Sequence, residues 1–117
     1  MAYILVVDDH EVIRHLLYEV LSGMGHNVTV ACNGVEALNL CKEHGFDLLI
    51  LDYRMPYMDG LEVAKRLNGK IHFILHTSDC DNEELKRKAQ KAGALGVIEK
   101  ISGVKAFRKD IEMFLKM

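Results

Sequence analysis

The sequence predicts an α/β fold, a parallel sheet covered by helices on both faces, and three features of the chain predict it. Short apolar runs alternate with amphipathic stretches five times, and connections of that length suit parallel crossovers. One run, Leu48 to Leu51, is four consecutive apolar residues bounded by polar and turn residues, the pattern of a strand buried on both faces. Carboxylates end two of the runs: Asp8 and Asp9 follow the first, and Asp52 follows the central one. In open α/β sheets the ligand crevice lies outside the carboxyl ends of the strands, so acids there stand where chemistry is done.

Taken in order, Tyr3 to Val7 is a short apolar strand. From Val12 the apolar residues fall at Val12, Ile13, Leu16, Leu17, Val20, Leu21 and Met24, one stripe at the helical period, which Gly23 and Gly25 end. Asn27 to Cys32 reads as the second strand, and Asn33-Gly34 turns the chain into a helix with Val35, Leu38 and Cys41 on one face. The central strand delivers Asp52. Pro56, the single proline, and Gly60 mark the loop after it, and a short helix runs from Leu61 to Leu67. His72 to His76 is the fourth strand, ending at Thr77 and Ser78. Asp79, Asp81 and Asn82 offer acceptors to the free amides of a helix that runs to Ala92 and stops at Gly93. Gly96 to Glu99 is a short fifth strand leading to Lys100. Ser102 can cap a last helix whose stripe is Val104, Phe107, Ile111, Phe114 and Leu115.

At 117 residues and half hydrophobic, the chain suffices for one domain, 1–117, with a core that needs no staples. No segment is left after the last helix for an output domain, so none is expected. The net charge of -2 gives no general pull toward nucleic acid or an anionic membrane, and neither is an expected partner. Cys32, Cys41 and Cys80 are odd in number and lack Cys-x-x-Cys spacing, which reads as free thiols in a reducing compartment. With no apolar stretch of about 18 residues and no leader pattern, the expected location is cytoplasmic.

Parallel strands share one carboxyl edge, and that edge would collect Asp8, Asp9, Asp52, Thr77, Ser78 and Lys100. Clustered carboxylates repel one another unless a cation joins them, and oxygen donors suit a hard divalent ion, Mg²⁺ above all. Lys100 can neutralise the remaining charge, and Thr77 can donate to an incoming oxyanion. A carboxylate so flanked can attack phosphorus and form an acyl phosphate, which makes Asp52 the candidate nucleophile.

These residues carry a resemblance. Ile4-Leu5-Val6-Val7-Asp8-Asp9, Asn33-Gly34-Val35-Glu36-Ala37-Leu38, the stretch from Asp47 through Asp52-Tyr53-Arg54-Met55-Pro56-Tyr57-Met58-Asp59-Gly60, Thr77 after its strand, and Gly93-Ala94 with Lys100 match one pattern. It resembles the response-regulator receiver domain of two-component signalling, the stand-alone, chemotaxis-regulator-like kind, along the whole chain. The resemblance implies a flavodoxin-like (βα)5 fold with strand order 2-1-3-4-5. It implies that Asp52 accepts phosphoryl from a histidine kinase or phosphotransfer protein, that Asp9, Asp52 and the Arg54 backbone carbonyl hold Mg²⁺ with Asp8 in support, and that Thr77 and Lys100 bind phosphoryl oxygens. Such a protein is no enzyme beyond its own phosphorylation and dephosphorylation, and it signals to a downstream protein target by altered contacts.

The chain departs from the family at two places. Ile101 follows the lysine where the family has proline, and a cis peptide at a non-proline costs about 2.5 to 4 kcal/mol. Val97 replaces the usual aromatic residue three before the lysine and has no ring to swing, so the response is expected to travel through the loop after Thr77. Arg54 and Asp79, two residues after Asp52 and Thr77, are expected to pair across the mouth of the site.

Other signals carry less. His10-Glu11 and His15 do not make a metalloprotease helix, since five residues rotate about 500° and place the histidines on different faces. Alternation turns His76 to the side opposite Thr77. Lys86, Arg87, Lys88 and Lys91 make a basic helix face that offers few phosphate contacts. Tyr53 and Tyr57 pack beside the site or border it. An aspartate-nucleophile phosphatase needs a second acid where Arg54 stands, and a flavin carrier needs a phosphate-cradling loop where Asp8 and Asp9 stand. The alternative reading is a receiver-like interaction module that is never phosphorylated.

Overall fold

The computed structural model describes residues 1–79, 81–100 and 103–117. Cys80, Ile101 and Ser102 lie outside the described residues, and with them the sequence-based readings of the third thiol, the peptide after Lys100 and the last helix cap. Ten elements alternate: β1 (Tyr3–Val7), α1 (Glu11–Gly23), β2 (Asn27–Ala31), α2 (Gly34–Glu43), β3 (Leu48–Asp52), α3 (Gly60–Leu67), β4 (Phe73–Thr77), α4 (Glu83–Lys91), β5 (Val97–Glu99) and α5 (Val104–Leu115). All four strand pairings are parallel, in the order β2-β1-β3-β4-β5. The expected order 2-1-3-4-5 is the one observed.

The period of two along each strand sorts the core into two layers. Leu5, Val7, Leu49, Leu51 and Leu75 pack with Ala37, Val63, Ala64, Leu85 and Ala89 of α2, α3 and α4. Ile4, Val6, Leu48, Ile50 and Ile74 pack with Leu17, Leu21, Phe107, Ile111 and Phe114 of α1 and α5. Every residue of β3 is buried, which is why Leu48 to Leu51 form a continuous apolar run.

Helix starts follow local chemistry. Asn33, Asp59 and Asn82 each accept the third following amide, from Glu36, Glu62 and Leu85 at 2.8, 2.8 and 3.1 Å. Of the three residues expected to cap α4, Asn82 does so; Asp79 turns to Arg54 and to the Asn82 amide instead. At the end of α4, Gly93 takes a φ of +95°, the left-handed turn that closes a helix cheaply only with glycine.

Several sequence-based expectations are corrected. Val12 and Leu16 belong to the apolar series of α1, yet they are 78% and 44% exposed. They sit roughly 80° to 120° round the helix from Ile13, Leu17, Val20 and Leu21, beyond the arc that one sheet face covers. Val35 is 56% exposed for the same reason, while Leu38 and Cys41 pack inward beside Ala37. Strand ends move by one residue: β2 stops before Cys32, β4 runs from Phe73 to Thr77, and β5 begins at Val97. His72 and Gly96 still bond into the sheet through their carbonyls, to the amides of Leu49 and Leu75.

Candidate functional site

Strand polarity brings β1, β3, β4 and β5 to one edge with their carboxyl ends together, and the side chains there converge. Lys100 Nζ lies 3.0 Å from Asp8 Oδ2 and 3.0 Å from Asp52 Oδ1. Its backbone amide donates to the carbonyl oxygen of Thr77 at 3.2 Å, which fixes the lysine to the end of β4. The expected arrival of this ammonium between the acids is therefore present in the structure. Burial works against the charge on Lys100, but the contacts with Asp8 and Asp52 outweigh it and raise its pKa.

Asp52 is 3% exposed, and its carboxyl is pushed up to about 6, first by burial and then by the charge of Asp8, against the pull of Lys100. Its Oδ2 is buried and has no hydrogen-bond partner among the described residues. Ligand atoms of Asp8, Asp9, His10 and Asp52 all lie within 4.8 Å of one another. Clustered carboxylate oxygens, one of them buried with no donor among the described residues, are the donor set of a hard divalent cation, so the residues present fit Mg²⁺.

The supporting contacts come from the residue before α1 and from its first turn. His10 donates its backbone amide to Asp8 Oδ1 at 2.9 Å, and its Nδ1 lies 3.2 Å from both Asp8 Oδ1 and Asp9 Oδ1. Arg14 Nη1 donates to the carbonyl oxygen of Asp8 at 2.8 Å. Arg14 went unread in the sequence; the available signal is a cation one turn into the helix that starts beside the acids.

Thr77 is buried, and its hydroxyl accepts the amide of Asp79 at 3.1 Å, leaving the hydroxyl proton free to be donated elsewhere. Arg54 and Asp79 do pair, Nη2 to Oδ2 at 3.0 Å. The Arg54 guanidinium also lies over the ring of Tyr53, 5.6 Å from its centroid. Tyr53 packs against the core, whereas Tyr57 is fully exposed with a φ of +69°. Gly60 folds the loop back: its amide donates to the Tyr53 carbonyl at 2.8 Å, and a Cβ at this position would overlap the carbonyl oxygen of Asp52. Only glycine allows that approach.

His76 points to the opposite side of β4 from Thr77, as alternation requires, with its ring 5.6 Å from that of Phe107. Burial, then the nearby Lys100 charge, lowers its pKa to about 4.

A family model described as the response regulator receiver domain matches residues 4–112. The chemotaxis protein CheY of Halobacterium salinarum is 42% identical over 100 residues, covering 83% of this chain and 82% of that protein. Sporulation initiation phosphotransferase F of Bacillus subtilis is 32% identical over 117 residues, with 97% and 94% covered. Among solved structures, the response regulator protein TrrA of Thermotoga maritima, in complex with Mg²⁺ and BeF, superposes with a TM-score of 0.86 at 34% identity, covering 97% of this chain and 98% of that one.

Proposed function

The chain belongs to the response regulator receiver family, and from that premise we propose that Asp52 is the residue that accepts the phosphoryl group. One observation carries this reading: Asp52 Oδ2 is buried at the carboxyl edge with no hydrogen-bond donor among the described residues while Oδ1 is held by Lys100, so one oxygen is anchored and the other is free to attack.

Asp8, Asp9, Asp52 and the backbone carbonyl of Arg54 would hold Mg²⁺, which when bound supplies positive charge to the clustered carboxylates and to phosphoryl oxygens. The residues of the chain do the rest. Asp52 Oδ2 gives an electron pair to phosphorus and forms the oxygen–phosphorus bond as the phosphorus–nitrogen bond of a phosphohistidine breaks, and the imidazole of the partner leaves with the electron pair of that broken bond. Lys100 and the Thr77 hydroxyl then bind two of the phosphoryl oxygens. The donor is a histidine kinase or phosphotransfer protein, in the cytoplasm, and the product signals through protein contacts with a downstream target. Its chemistry is confined to its own phosphorylation and hydrolysis.

With Val97 at the usual aromatic position, the loop from Thr77 to Asp79 is the route of the response. Thr77 and Asp79 are already joined by a hydrogen bond, so drawing Thr77 toward a phosphoryl oxygen displaces Asp79. The ligand-bound state is a shift in the balance of these loop positions.

Incubation with Mg²⁺ and acetyl phosphate followed by intact mass tests the assignment. A phosphoryl adduct on the parent that is lost in Asp52→Ala is the expected result. A parent that never gains the adduct would leave a receiver fold acting only as an interaction module.

A further inference from the structure

A groove of about 740 Å³ opens at the amino edge of the sheet, away from Asp52, where α2 and α3 end and β3 and β4 begin. Leu38, Cys41, Phe46 and Ile71 form an apolar, half-buried floor. Lys42 and Lys70 stand exposed on the rim, and neither has a carboxylate within 4.0 Å among the described residues. Arg66 adds a third cation, which reaches Glu62 at 3.9 Å. No carboxylate lines the groove among the described residues. Cations near helix carboxyl ends are favoured by the helix dipole, which accounts for Lys42 and Arg66. It accounts neither for Lys70, beyond the end of α3, nor for the uncovered apolar floor between these cations.

We propose that this groove binds a small organic anion with an apolar body, of the medium-chain carboxylate type. The body lies on the floor of Leu38, Cys41, Phe46 and Ile71, and the head group takes hydrogen bonds from Lys42 and Lys70. The volume falls in the range of about 300 to 1,000 Å³ typical of small-molecule sites, lined as they are by apolar groups with a few polar ones at the rim. Inorganic phosphate would leave the floor open to water, and a neutral lipid would leave the ammonium groups without a counter-ion.

Cys41 lies in the floor and reports occupancy, while Cys32, at the turn between β2 and α2, serves as the internal control. The full chain is alkylated with and without decanoate below its micelle concentration, and each cysteine is followed by peptide mass spectrometry. Decanoate is expected to slow Cys41 alkylation by about tenfold or more, on the scale of hydrogen bonds to charged groups, and to leave Cys32 unchanged. Decanol should protect far less, and the double variant Lys42→Glu/Lys70→Glu, checked for folding by circular dichroism, should lose protection. Unchanged Cys41 reactivity at millimolar decanoate, or equal protection by decanol, overturns the proposal. Equal protection in a folded double variant does so too; should that variant not fold, decanoate against decanol on the parent decides.

Discussion

Arg54 Nη2 stands 3.0 Å from Asp79 Oδ2, and this ion pair ties the loop after β3 to the loop after β4, two residues beyond Asp52 and two beyond Thr77. Hydrogen bonds from Arg54 and then Asn82 hold the Asp79 carboxyl below the ordinary aspartate range. Arg54 is largely exposed, so the contact is weak in itself, and its value lies in where it sits.

If that pair shields the acyl phosphate, Arg54→Ala should speed loss of phosphoryl from Asp52 by about twofold to fivefold, the scale of an exposed ion pair. Asp79→Ala should do the same, and the double variant should add little. Phosphate release from the purified phosphoprotein, with Mg²⁺ fixed, measures this. Identical rates in all four proteins would remove the pair from the hydrolysis step.

Asp52→Asn should stabilise the chain at pH 7.5 without divalent metal. The folded carboxyl titrates at about 6, raised chiefly by burial and Asp8, so the folded state binds more protons than the unfolded one between about pH 4 and 6. Stability accordingly falls as pH rises through that window, and the full penalty, on the order of 1 to 3 kcal/mol, is present at pH 7.5. Mg²⁺ should recover it in the parent and do much less in the variant. Urea midpoints with EDTA and with Mg²⁺ give the four values needed.

His76 has the opposite sign. Its pKa is lowered to about 4 by burial and by Lys100, so below the ordinary histidine pKa of about 6.5 the unfolded state takes up a proton that the folded state refuses. Its contribution is complete above pH 6.5 and is lost as pH falls toward 4. The stability of the parent relative to His76→Leu should drop between pH 7 and pH 5 by more than 1 kcal/mol, an order-of-magnitude figure from the shift. A difference that stays flat across that interval would show that the buried ring is not the titrating group.

Gly60→Ala should injure both folding and phosphorylation. The added methyl would overlap the Asp52 carbonyl oxygen, and relief requires moving the loop that the Gly60 amide anchors to Tyr53. A cost of about 1 to 3 kcal/mol follows for overpacking a closed position. Acetyl phosphate labelling should slow beyond what the loss of folded protein explains. Gly45→Ala, with open space around it, serves as the control.

Much of this molecule was legible in the sequence because period and burial are tightly linked in a parallel sheet. The run Leu48 to Leu51 suits a strand covered on both faces, and once the strands are parallel the acids Asp8, Asp9 and Asp52 must share an edge with Thr77 and Lys100. That inference needs connectivity alone. The exposed side of α1 was not legible, because Val12 and Leu16 continue a helical series whose width is set by how far the sheet reaches around it. Arg14 was missed because a lone arginine in a helix carries no pattern of its own.

The sequence by itself determined which residues alternate and which acids end which strands, since each of these depends on neighbours within a few positions. Only the tertiary structure decided that one ammonium, Lys100, stands 3.0 Å from two carboxylates at the ends of different strands, with no donor to the Oδ2 of Asp52 among the described residues. It also decided that Gly60 presses against the Asp52 backbone and that His76 is sealed beside Phe107. Distances between side chains on separate strands follow from how the strands and loops pack, and no local pattern along the chain encodes them.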